Sequence, residues 1–414
     1  MDFKKRREEI LNRMEDNSIL ILYSGIESHV SADEYAPFEA NRNFFYLTGL
    51  RRDNMILVLD KAAAKPVERL YIEEADPTME RWYGKKVTVE EAKEVTQMER
   101  IGFLDEFEPA MDMILTREDV TTVYFDTYRH QYQDLPDYNV VKANEFAAKY
   151  PGMKICNCFP MIAEMRMQKD EDEAALIKDA IALTDEGLKN VLRNLTPGMK
   201  EYQAQADFEY SIKRNGADGV SFPTIAGSGM NGTMLHYETN QETCEDGTLL
   251  LLDLGAKYKG YCADITRTYP VNGTYSKRQR EVYDIVLAAN REVAKSAKPG
   301  MTTLDLNNIC KKVLAEGCIR LGLIEKEEEI GKYYMHGVSH HLGIDVHDVT
   351  VDSNKKLRPG AIISDEPGLY IDEWAIGIRI EDDLMITEDG CVVLSEAIMR
   401  DADDIEAFMK EQGK

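Results

Sequence analysis

The alternation of apolar and polar positions along the first 160 residues predicts short strands separated by helices. Four β-like runs stand out, SILILYSG, NMILVLD, ERLYIEE and TVYFDT, each short and rich in β-branched or aromatic residues. The polar stretches between them have helical spacing, and alternating strands and helices are typical of α/β folds. The first part of the chain is therefore predicted to be an α/β domain.

A long amphipathic pattern follows in MRMQKDEDEAALIKDAIALTDEGLKNVLRNL. Its apolar spacing is helical, and its acidic start suits a helix N-terminus. The chain has 414 residues, which exceeds the size at which a single core normally stops growing. We therefore predict two domains, residues 1–165 and 166–414, with the boundary just before this helix.

The second domain contains a weak internal repeat. Residues 195–216, LTPGMKEYQAQADFEYSIKRNG, resemble residues 297–317, AKPGMTTLDLNNICKKVLAEG, because each has a helix end, Pro-Gly-Met and another helix. Further along, GTLLLLDLG aligns without a gap with GAIISDEPG, which sets Asp253 opposite Glu366. The two halves are predicted to be related units that each supply one carboxylate from the same structural position.

A second acidic strand follows each of these apolar runs. YKGYCADITRTYP carries Asp264, and AIGIRIEDDLMI carries Glu381. Paired positions in a hairpin add to a constant, so Asp253 is predicted to lie directly across from Asp264, and Glu366 across from Glu381. Like charges so placed repel strongly in an apolar interior unless a cation lies between them.

Four converging carboxylates predict an oxygen-rich site for divalent metal, with two ions. The alternative is that the four are unrelated turn or edge residues. Their repeat-related positions favour the metal site over that alternative.

Five of the seven histidines fall in two short stretches. His236 lies in GSGMNGTMLHYETN, and HGVSHHLGIDVHD carries His336, His340, His341 and His347. The glycines and β-branched residues of the second stretch predict irregular backbone rather than a helix. The sequence has no HExxH, which excludes a helical zinc-protease site.

Charge and cysteine content exclude several classes of protein. The net charge of −25 would repel phosphate backbones, so nucleic acid is excluded as a partner. No run approaches the ~18 apolar residues of a membrane span, and the charged N-terminal pattern lacks a signal-peptide core, which predicts a cytoplasmic location. The seven scattered cysteines fit neither a disulfide framework nor a zinc ribbon.

The motifs LLLLDLGAKYKGYCADITRTY, HGVSHHLGIDVHD, EPGLYI and IRIEDD, in this order, resemble the pita-bread metallopeptidases, specifically aminopeptidase P and its relative prolidase. The resemblance spans residues 170–400, and NRNFFYLTGL and ERWYGKK are similar to stretches of the aminopeptidase P N-terminal domain. It implies an α/β (α+β) fold class. A creatinase-like α/β domain would precede a pita-bread domain with an internal pseudo-twofold repeat.

The resemblance also implies a set of metal ligands. Asp253 would bind one metal ion, His340 and Glu366 would bind the other, and Asp264 and Glu381 would bridge both. The family normally uses manganese, with cobalt or zinc in some members.

Further site residues are implied in the same way. His236 and His347 match histidines that contact the substrate and the developing tetrahedral centre, and Arg379 matches an arginine that contacts a ligand or the substrate. Tyr370 occupies the tyrosine position after EPG. Trp82 matches the tryptophan that in aminopeptidase P helps to form the pocket of an adjoining subunit, which implies a homodimer or homotetramer.

Two positions depart from the family pattern. His341 stands where the family often has an aromatic residue, and Ser353 is the nearest match to an arginine of some relatives. No role is predicted for either residue.

The implied activity is hydrolysis of the N-terminal Xaa-Pro bond of peptides by a metal-activated water, with Glu366 as proton acceptor and His236, His347 and Arg379 as further catalytic residues. Three alternatives stay open: a prolidase restricted to Xaa-Pro dipeptides, a non-catalytic pita-bread binding module, and a creatinase-like enzyme without metal. The long first domain and Trp82 favour the aminopeptidase over the prolidase. The complete ligand set counts against the other two.

Overall fold

The chain is described here by a computed structural model that covers residues 1–117, 119–352 and 355–414. Ser353 lies outside the described residues. The chain divides into two compact units, Met1–Met165 and Arg166–Lys414. Within the described ranges, no helix combines the length and the apolar character that crossing a bilayer requires.

The first unit alternates strands and helices, as predicted. Its elements are α1 (Phe3–Arg13), β1 (Ser18–Tyr23), β2 (His29–Ser31), β3 (Glu34–Tyr35), α2 (Arg42–Thr48), β4 (Ile56–Asp60), β5 (Val67–Ile72), α3 (Pro77–Tyr83), α4 (Val89–Thr96), β6 (Ile101–Phe103), α5 (Phe107–Leu115), β7 (Thr122–Phe125), α6 (Tyr138–Lys149), β8 (Lys154–Asn157) and α7 (Phe159–Arg166).

A six-stranded sheet organises this unit, in the order β6-β5-β4-β1-β7-β8. The sheet is mixed, because β4 pairs antiparallel with β1 and β5 while the outer pairs are parallel. Its four predicted strands are β1, β4, β5 and β7. Ile19, Val58, Val123 and Phe125 belong to the core on one side of this sheet. The central strands are apolar throughout because both faces are covered.

In the part that the structure describes, the second unit contains five longer helices and several short strands. Its elements are α8 (Glu171–Asn194), α9 (Glu201–Arg214), β9 (Gly219–Val220), β10 (Ile225–Ser228), β11 (Leu249–Leu254), β12 (Ala256–Tyr258), β13 (Tyr261–Cys262), β14 (Ile265–Pro270), α10 (Lys277–Ser296), α11 (Thr303–Arg320), β15 (Ile362–Asp365), β16 (Gly368–Ile371), β17 (Ile376–Arg379), β18 (Asp382–Ile386), β19 (Cys391–Val393) and α12 (Ala402–Glu411).

The predicted internal repeat is visible in backbone hydrogen bonds. Gly198 follows α8 and Gly300 follows α10, with φ of 89° and 88°, a conformation that glycine adopts without strain. The N–H of Gly198 donates to Cys244 O, and that of Gly300 donates to Leu357 O, each at 2.9 Å. The two helix pairs, α8 with α9 and α10 with α11, are thus anchored in the same way to the segments that lead into β11 and β15.

The predicted register of the second hairpin is confirmed. Asp365 pairs with Asp382 between β15 and β18, and Gly368 pairs with Arg379 between β16 and β17. Both pairs follow the same antiparallel register. Glu366 and Glu381 therefore lie across from each other, between the β15–β18 pairing and the β16–β17 pairing.

The predicted register of the first hairpin is wrong by two positions. Asp253 pairs with Thr266, not with Asp264, and Asp264 lies in the short link between β13 and β14. A shift of two residues keeps every side chain on its own face of the ladder. Asp253 and Asp264 are therefore diagonal neighbours on one face rather than a direct cross-strand pair.

The turn of this hairpin explains the shift. Tyr258 pairs with Tyr261, so Lys259 and Gly260 form a two-residue turn with φ of 47° and 87°. Positive φ at both positions is the type I′ geometry, which favours Gly in the turn and matches the strand twist. The turn therefore centres one residue later than predicted.

Candidate metal centre

Four of the five predicted metal ligands, the carboxylates, lie at or beside the ends of strands in the second unit. Asp253 is near the end of β11, and Asp264 precedes β14. Glu366 lies between β15 and β16, and Glu381 lies between β17 and β18. These strands are largely buried, and all four carboxylates line one cavity.

The segment that carries His340 runs along β15. The N–H of Ser364 donates to His340 O, and that of Glu366 donates to Val338 O, each at 2.9 Å. Because adjacent residues of an extended segment point to opposite sides, His340 and His341 face different environments. This pairing fixes His340 beside Glu366, although the surrounding stretch is irregular, as predicted.

Asp264, His340 and Glu381, three of the five predicted ligands, form a compact group. The Nε2 atom of His340 lies 3.3 Å from Asp264 Oδ2 and 3.6 Å from Glu366 Oε1. One ligand atom each from Asp264, His340 and Glu381 lies within 4.8 Å of the other two. His340 Nδ1 lies 3.0 Å from His341 O, a contact that orients the ring and leaves Nε2 directed at the carboxylates.

Burial makes the carboxylates of this group costly to ionise. It raises the pKa of Asp264 well above its usual range, and the neighbouring Asp253 adds to the effect. The pKa of Glu381 is raised well above its usual range by burial and then by Asp264 and Glu366. Burial also raises the pKa of Glu366, although His340 and Arg379 oppose it. A cation among them would remove this penalty.

Arg379 holds Asp253 in place. Its Nη2 donates to Asp253 Oδ2 at 2.6 Å, and its Nη1 donates to the Tyr370 hydroxyl at 2.9 Å. The other carboxylate oxygen of Asp253, Oδ1, is buried and has no hydrogen-bond partner within the described residues. A buried oxygen without a donor fits a metal ligand, so the residues present suit a divalent ion.

His347 and His236 flank the cluster. The ring of His347 stacks on that of His340, with centroids 3.9 Å apart. Burial, followed by His340 and His236, lowers the pKa of His347 to about 4, so its imidazole is neutral at pH 7. His236 lies in the segment after β10 and lines the same cavity.

A cavity of about 450 Å³ connects these side chains. Nearly all the predicted site residues of the second unit line it: Asp253, Asp264, His236, His340, His347, Glu366, Arg379 and Glu381. Tyr370 is buried, and its hydroxyl contacts two lining residues, Arg379 and His336. Trp82 lies on α3 of the first unit, where 79% of its surface is exposed.

His336 belongs to this site, but no role was predicted for it. It lines the cavity, its Nε2 lies 2.8 Å from the Tyr370 hydroxyl, and its Nδ1 lies 3.8 Å from Glu366 Oε2. Burial and then Arg379 lower the pKa of His336 to about 4. The density of histidines in HGVSHHLGIDVHD was the available signal, but spacing alone did not separate His336 from its neighbours.

An apolar wall was also missed. Phe222, Pro223, Ile225, Leu235 and Val346 line the cavity together with Glu238. These residues are scattered along three segments without a periodic pattern. Such a wall beside polar groups is typical of a site that binds an organic substrate.

His341 packs on the side of its segment opposite to His340, beside a buried ion cluster. Asp348 Oδ1 lies 2.5 Å from Arg166 Nη2, and Asp348 Oδ2 lies 2.8 Å from Lys169 Nζ. Arg166 Nη2 also lies 2.9 Å from Asp345 Oδ2. The cluster therefore fixes both Asp345 and Asp348 in the loop that carries His347.

Two family models match the chain. Residues 175–388 match metallopeptidase family M24, and residues 3–124 match the N-terminal domain of aminopeptidase P. The Xaa-Pro aminopeptidase of Escherichia coli K12 is 33% identical, over 99% of this chain and 97% of that relative. Human Xaa-Pro aminopeptidase 3 is 28% identical, over 96% of this chain and 81% of its own length.

Solved structures agree with these matches. A Bacillus anthracis chain described as a candidate aminopeptidase P has a TM-score of 0.97 and 44% identity, over 99% of this chain and 98% of that one. Escherichia coli aminopeptidase P with the inhibitor Pro-Leu has a TM-score of 0.90 and 32% identity, over 100% of this chain and 98% of that one. The predicted family and fold class are confirmed. The chain belongs to metallopeptidase family M24 and carries the N-terminal domain of aminopeptidase P ahead of its catalytic domain.

Proposed function

We propose that this chain is a Xaa-Pro aminopeptidase, which removes the first residue from peptides with proline at the second position. One observation carries the proposal: Asp264, His340 and Glu381 converge in a cavity of a chain whose full-length relatives bear that name. We assign the catalytic role to residues 166–414 and a role in substrate selection to residues 1–165.

The donor set supports two divalent ions. We propose that Asp253 holds one ion, that His340 and Glu366 hold the other, and that Asp264 and Glu381 bridge both. The four carboxylates are hard ligands of the kind that manganese accepts, and the one imidazole is a borderline ligand that also suits cobalt or zinc. When bound, such ions polarise a carbonyl group and acidify water.

The side chains around the ligands supply proton transfer and orientation. Glu366 accepts the proton of the attacking water, a role that suits a carboxylate whose pKa is raised by burial. His236 donates a hydrogen bond to the oxygen of the scissile carbonyl. The departing proline nitrogen takes up the proton that Glu366 accepted, and His347, which is neutral at pH 7, assists with its one N–H as a hydrogen-bond donor. Arg379 orients Asp253 and the Tyr370 hydroxyl.

The apolar wall supports the choice of proline. Within a peptide, the proline nitrogen has no N–H to donate and its ring fixes φ. A pocket with apolar walls, such as Phe222 and Val346, can bind the ring without leaving a polar group unpaired. We propose that this wall contacts the proline, and that Tyr370 contributes to substrate binding through His336 and Arg379.

Exposed apolar residues on the first unit support a homo-oligomer. Trp82, Tyr83 and Met79 of α3 are exposed, as is Val30 of β2. The Tyr83 ring contacts that of Tyr35 at 6.4 Å, which joins α3 to the β2–β3 hairpin. We propose that Trp82 shapes a substrate pocket in a homodimer or homotetramer. A cytoplasmic location stays a prediction.

The deciding experiment compares substrates. The enzyme supplied with Mn²⁺ should cleave a tripeptide Xaa-Pro-Yaa with higher kcat/KM than the dipeptide Xaa-Pro, because the extra residue adds binding energy that is realised in the transition state. Preference for the dipeptide would indicate a prolidase. Metal analysis should find two ions per chain, and no cleavage of either peptide by the metal-loaded protein would favour a binding module.

A further inference from the structure

Glu201 is a fully buried carboxylate in the second unit, apart from the metal centre. It occupies the first turn of α9, and its relative exposure is 0%. It does not line the cavity that contains the ligands. A buried carboxylate is costly unless it accepts several hydrogen bonds, so its partners indicate why it is there.

Four uncharged donors surround the Glu201 carboxylate. Oε1 accepts from the N–H of Ser228 at 2.7 Å and from Asn231 Nδ2 at 3.0 Å. Oε2 accepts from the Tyr237 hydroxyl and from the N–H of Glu242, each at 2.9 Å. The donors belong to the beginning, the middle and the end of one segment, residues 228–242.

This segment carries His236 into the cavity. His236 and Leu235 line the cavity, and Tyr237, which donates to Glu201, is the next residue along the chain. The segment lacks strands between residues 229 and 242, so few ladder hydrogen bonds hold it. Glu201 replaces such a ladder with one carboxylate that contacts the segment on both sides of His236.

The same segment also packs against the strand that carries Arg379. A Cβ atom added to Gly377 of β17 would lie 1.8 Å from Gly232 O, so the two backbones are in close contact. A change in the position of residues 229–233 would therefore affect both His236 and the approach to Arg379. The Glu201 carboxylate anchors this segment on both sides of His236, whereas the Asn240 side chain, which donates to Thr224 O, anchors only the part after His236.

We propose that Glu201 is a positioning residue that acts through the segment 228–242 to hold His236 over the metal centre. The inference rests on the role proposed above for His236. None of the five proposed metal ligands lies in this segment, so the effect of Glu201 on catalysis is separate from metal binding.

Replacement by glutamine tests the anchor without a change of size. The side chain of Glu201→Gln has one oxygen and one NH2 group. The NH2 group therefore faces two donors, which are either Ser228 and Asn231 or Tyr237 and Glu242. Tyr237 and Asn231 can adapt, because a hydroxyl can rotate and an amide can flip. The backbone N–H of either Ser228 or Glu242 then loses its acceptor in either orientation, and that end of the segment is released.

The experiment is a double-mutant cycle on the Mn²⁺-loaded enzyme with a tripeptide substrate. Glu201→Gln should lower kcat by about 10-fold to 100-fold, the scale of a small displacement of a catalytic group. His236→Ala should lower kcat at least as much, and adding Glu201→Gln to His236→Ala should cause no further loss. Metal content should equal that of the wild type in all three variants.

A matched control separates positioning from general destabilisation. Glu173 is also a buried glutamate of this unit, and it accepts from the Tyr261 hydroxyl and from the Asp170 N–H. Glu173→Gln should lower the thermal midpoint with little change in kcat. If Glu201→Gln does not fold, Tyr237→Phe removes one donor and should lower kcat only in the presence of His236.

The outcomes are distinguishable. Additive losses in Glu201→Gln and His236→Ala, loss of metal in Glu201→Gln, or kcat unchanged by both Glu201→Gln and Tyr237→Phe would overturn the inference while leaving the role of His236 intact. Unchanged kcat in His236→Ala would overturn that role and the inference together.

Discussion

Arg379 and Asp253 come from opposite halves of the internal repeat, and the guanidinium Nη2 lies 2.6 Å from the carboxylate Oδ2. The contact uses one oxygen of Asp253, and the other oxygen, Oδ1, is buried and has no hydrogen-bond partner among the described residues. Arg379 thereby leaves Oδ1 as the oxygen of Asp253 that is available to a metal ion at the proposed site. Both side chains are largely buried, so neither charge is strongly screened by water.

Removal of Arg379 should therefore affect both metal binding and stability. Arg379→Met leaves the buried Asp253 without its cation, which costs roughly 3–5 kcal/mol for a buried pair, and Asp253 can then rotate away from the site. Calorimetric metal titration and urea unfolding measure the two effects. Arg7→Met breaks a partly buried pair of the first unit, Arg7 with Glu68, and should cost stability without changing metal affinity. Normal metal affinity in Arg379→Met would contradict the proposed orientation of Asp253.

His236→Ala and His340→Ala should separate catalysis from metal binding. His340 contacts Asp264 and Glu366, so His340→Ala should lose metal and activity together. His236→Ala should keep its metal and lose catalytic rate, by about 10²-fold or more if the imidazole stabilises the transition state. Metal analysis of the purified variants decides the matter, and equal metal loss in both would show that His236 is a ligand.

Metal affinity should rise with pH. Burial and neighbouring carboxylates raise the pKa values of Asp264 and Glu381 in the folded protein, so these groups hold protons more tightly in the metal-free fold than in the unfolded chain. Their protonation stabilises the metal-free fold at low pH, and this contribution is lost as pH rises through the folded pKa. Metal binding must displace the protons.

Calorimetry in buffers with different ionisation enthalpies counts the protons released. Asp264→Asn should release fewer protons per ion bound and should reduce metal occupancy. Affinity that does not change with pH, or full occupancy and activity in Asp264→Asn, would argue against Asp264 as a ligand.

Asp348 should contribute stability that is lost in acid. Burial opposes its ionisation, but Arg166 and Lys169 outweigh burial and lower the pKa of Asp348 to about 2. A lowered folded pKa stabilises the fold above the unfolded value of ~3.9, and this stabilisation disappears as pH falls towards 2. Asp348→Asn should cost about 3–5 kcal/mol at pH 7, measured by urea unfolding.

The difference between wild type and Asp348→Asn should shrink between pH 4 and pH 2. Adding Lys169→Met to Asp348→Asn should restore part of the lost stability, because it removes a buried cation that has lost its partner. A difference that stays constant through this range would show that the charge of Asp348 is not the cause.

Trp82→Ala should leave the fold intact. The side chain is 79% exposed, so its removal leaves no cavity in the core and the thermal midpoint should stay within the range of ordinary surface substitutions. If Trp82 shapes a pocket for residues beyond proline, kcat/KM for a tripeptide should fall while metal content is unchanged. If Trp82→Ala has the same oligomeric state as the wild type and an unchanged kcat/KM for the tripeptide, Trp82 does not belong to the substrate site.

The sequence predicted those features of the site that depend on periodic patterns. The register of the second hairpin followed from its acidic positions, whereas that of the first depended on Lys259 and Gly260, whose turn geometry the pattern of charges does not report. The predicted pairing of Glu366 with Glu381 was therefore correct, and the predicted pairing of Asp253 with Asp264 was wrong by two positions.

Residues that act through tertiary contacts were not predicted. His336 becomes part of the site only because Tyr370 and Glu366 are brought to it from later strands. Glu201 reads in the sequence as an ordinary helix-start residue, and its four donors lie 27 to 41 positions further along the chain. Such relationships depend on how loops fold back on helices, which local spacing does not encode.

The internal repeat has a consequence for the order in which the enzyme matures. Asp253 and Asp264 belong to the first half, whereas His340, Glu366 and Glu381 belong to the second. During synthesis, the two aspartates leave the ribosome more than a hundred residues before Glu381, and neither half alone contains the full ligand set. Binding of metal by all five proposed ligands therefore requires that both halves have been made and have docked, so full metal occupancy would report the completion of folding.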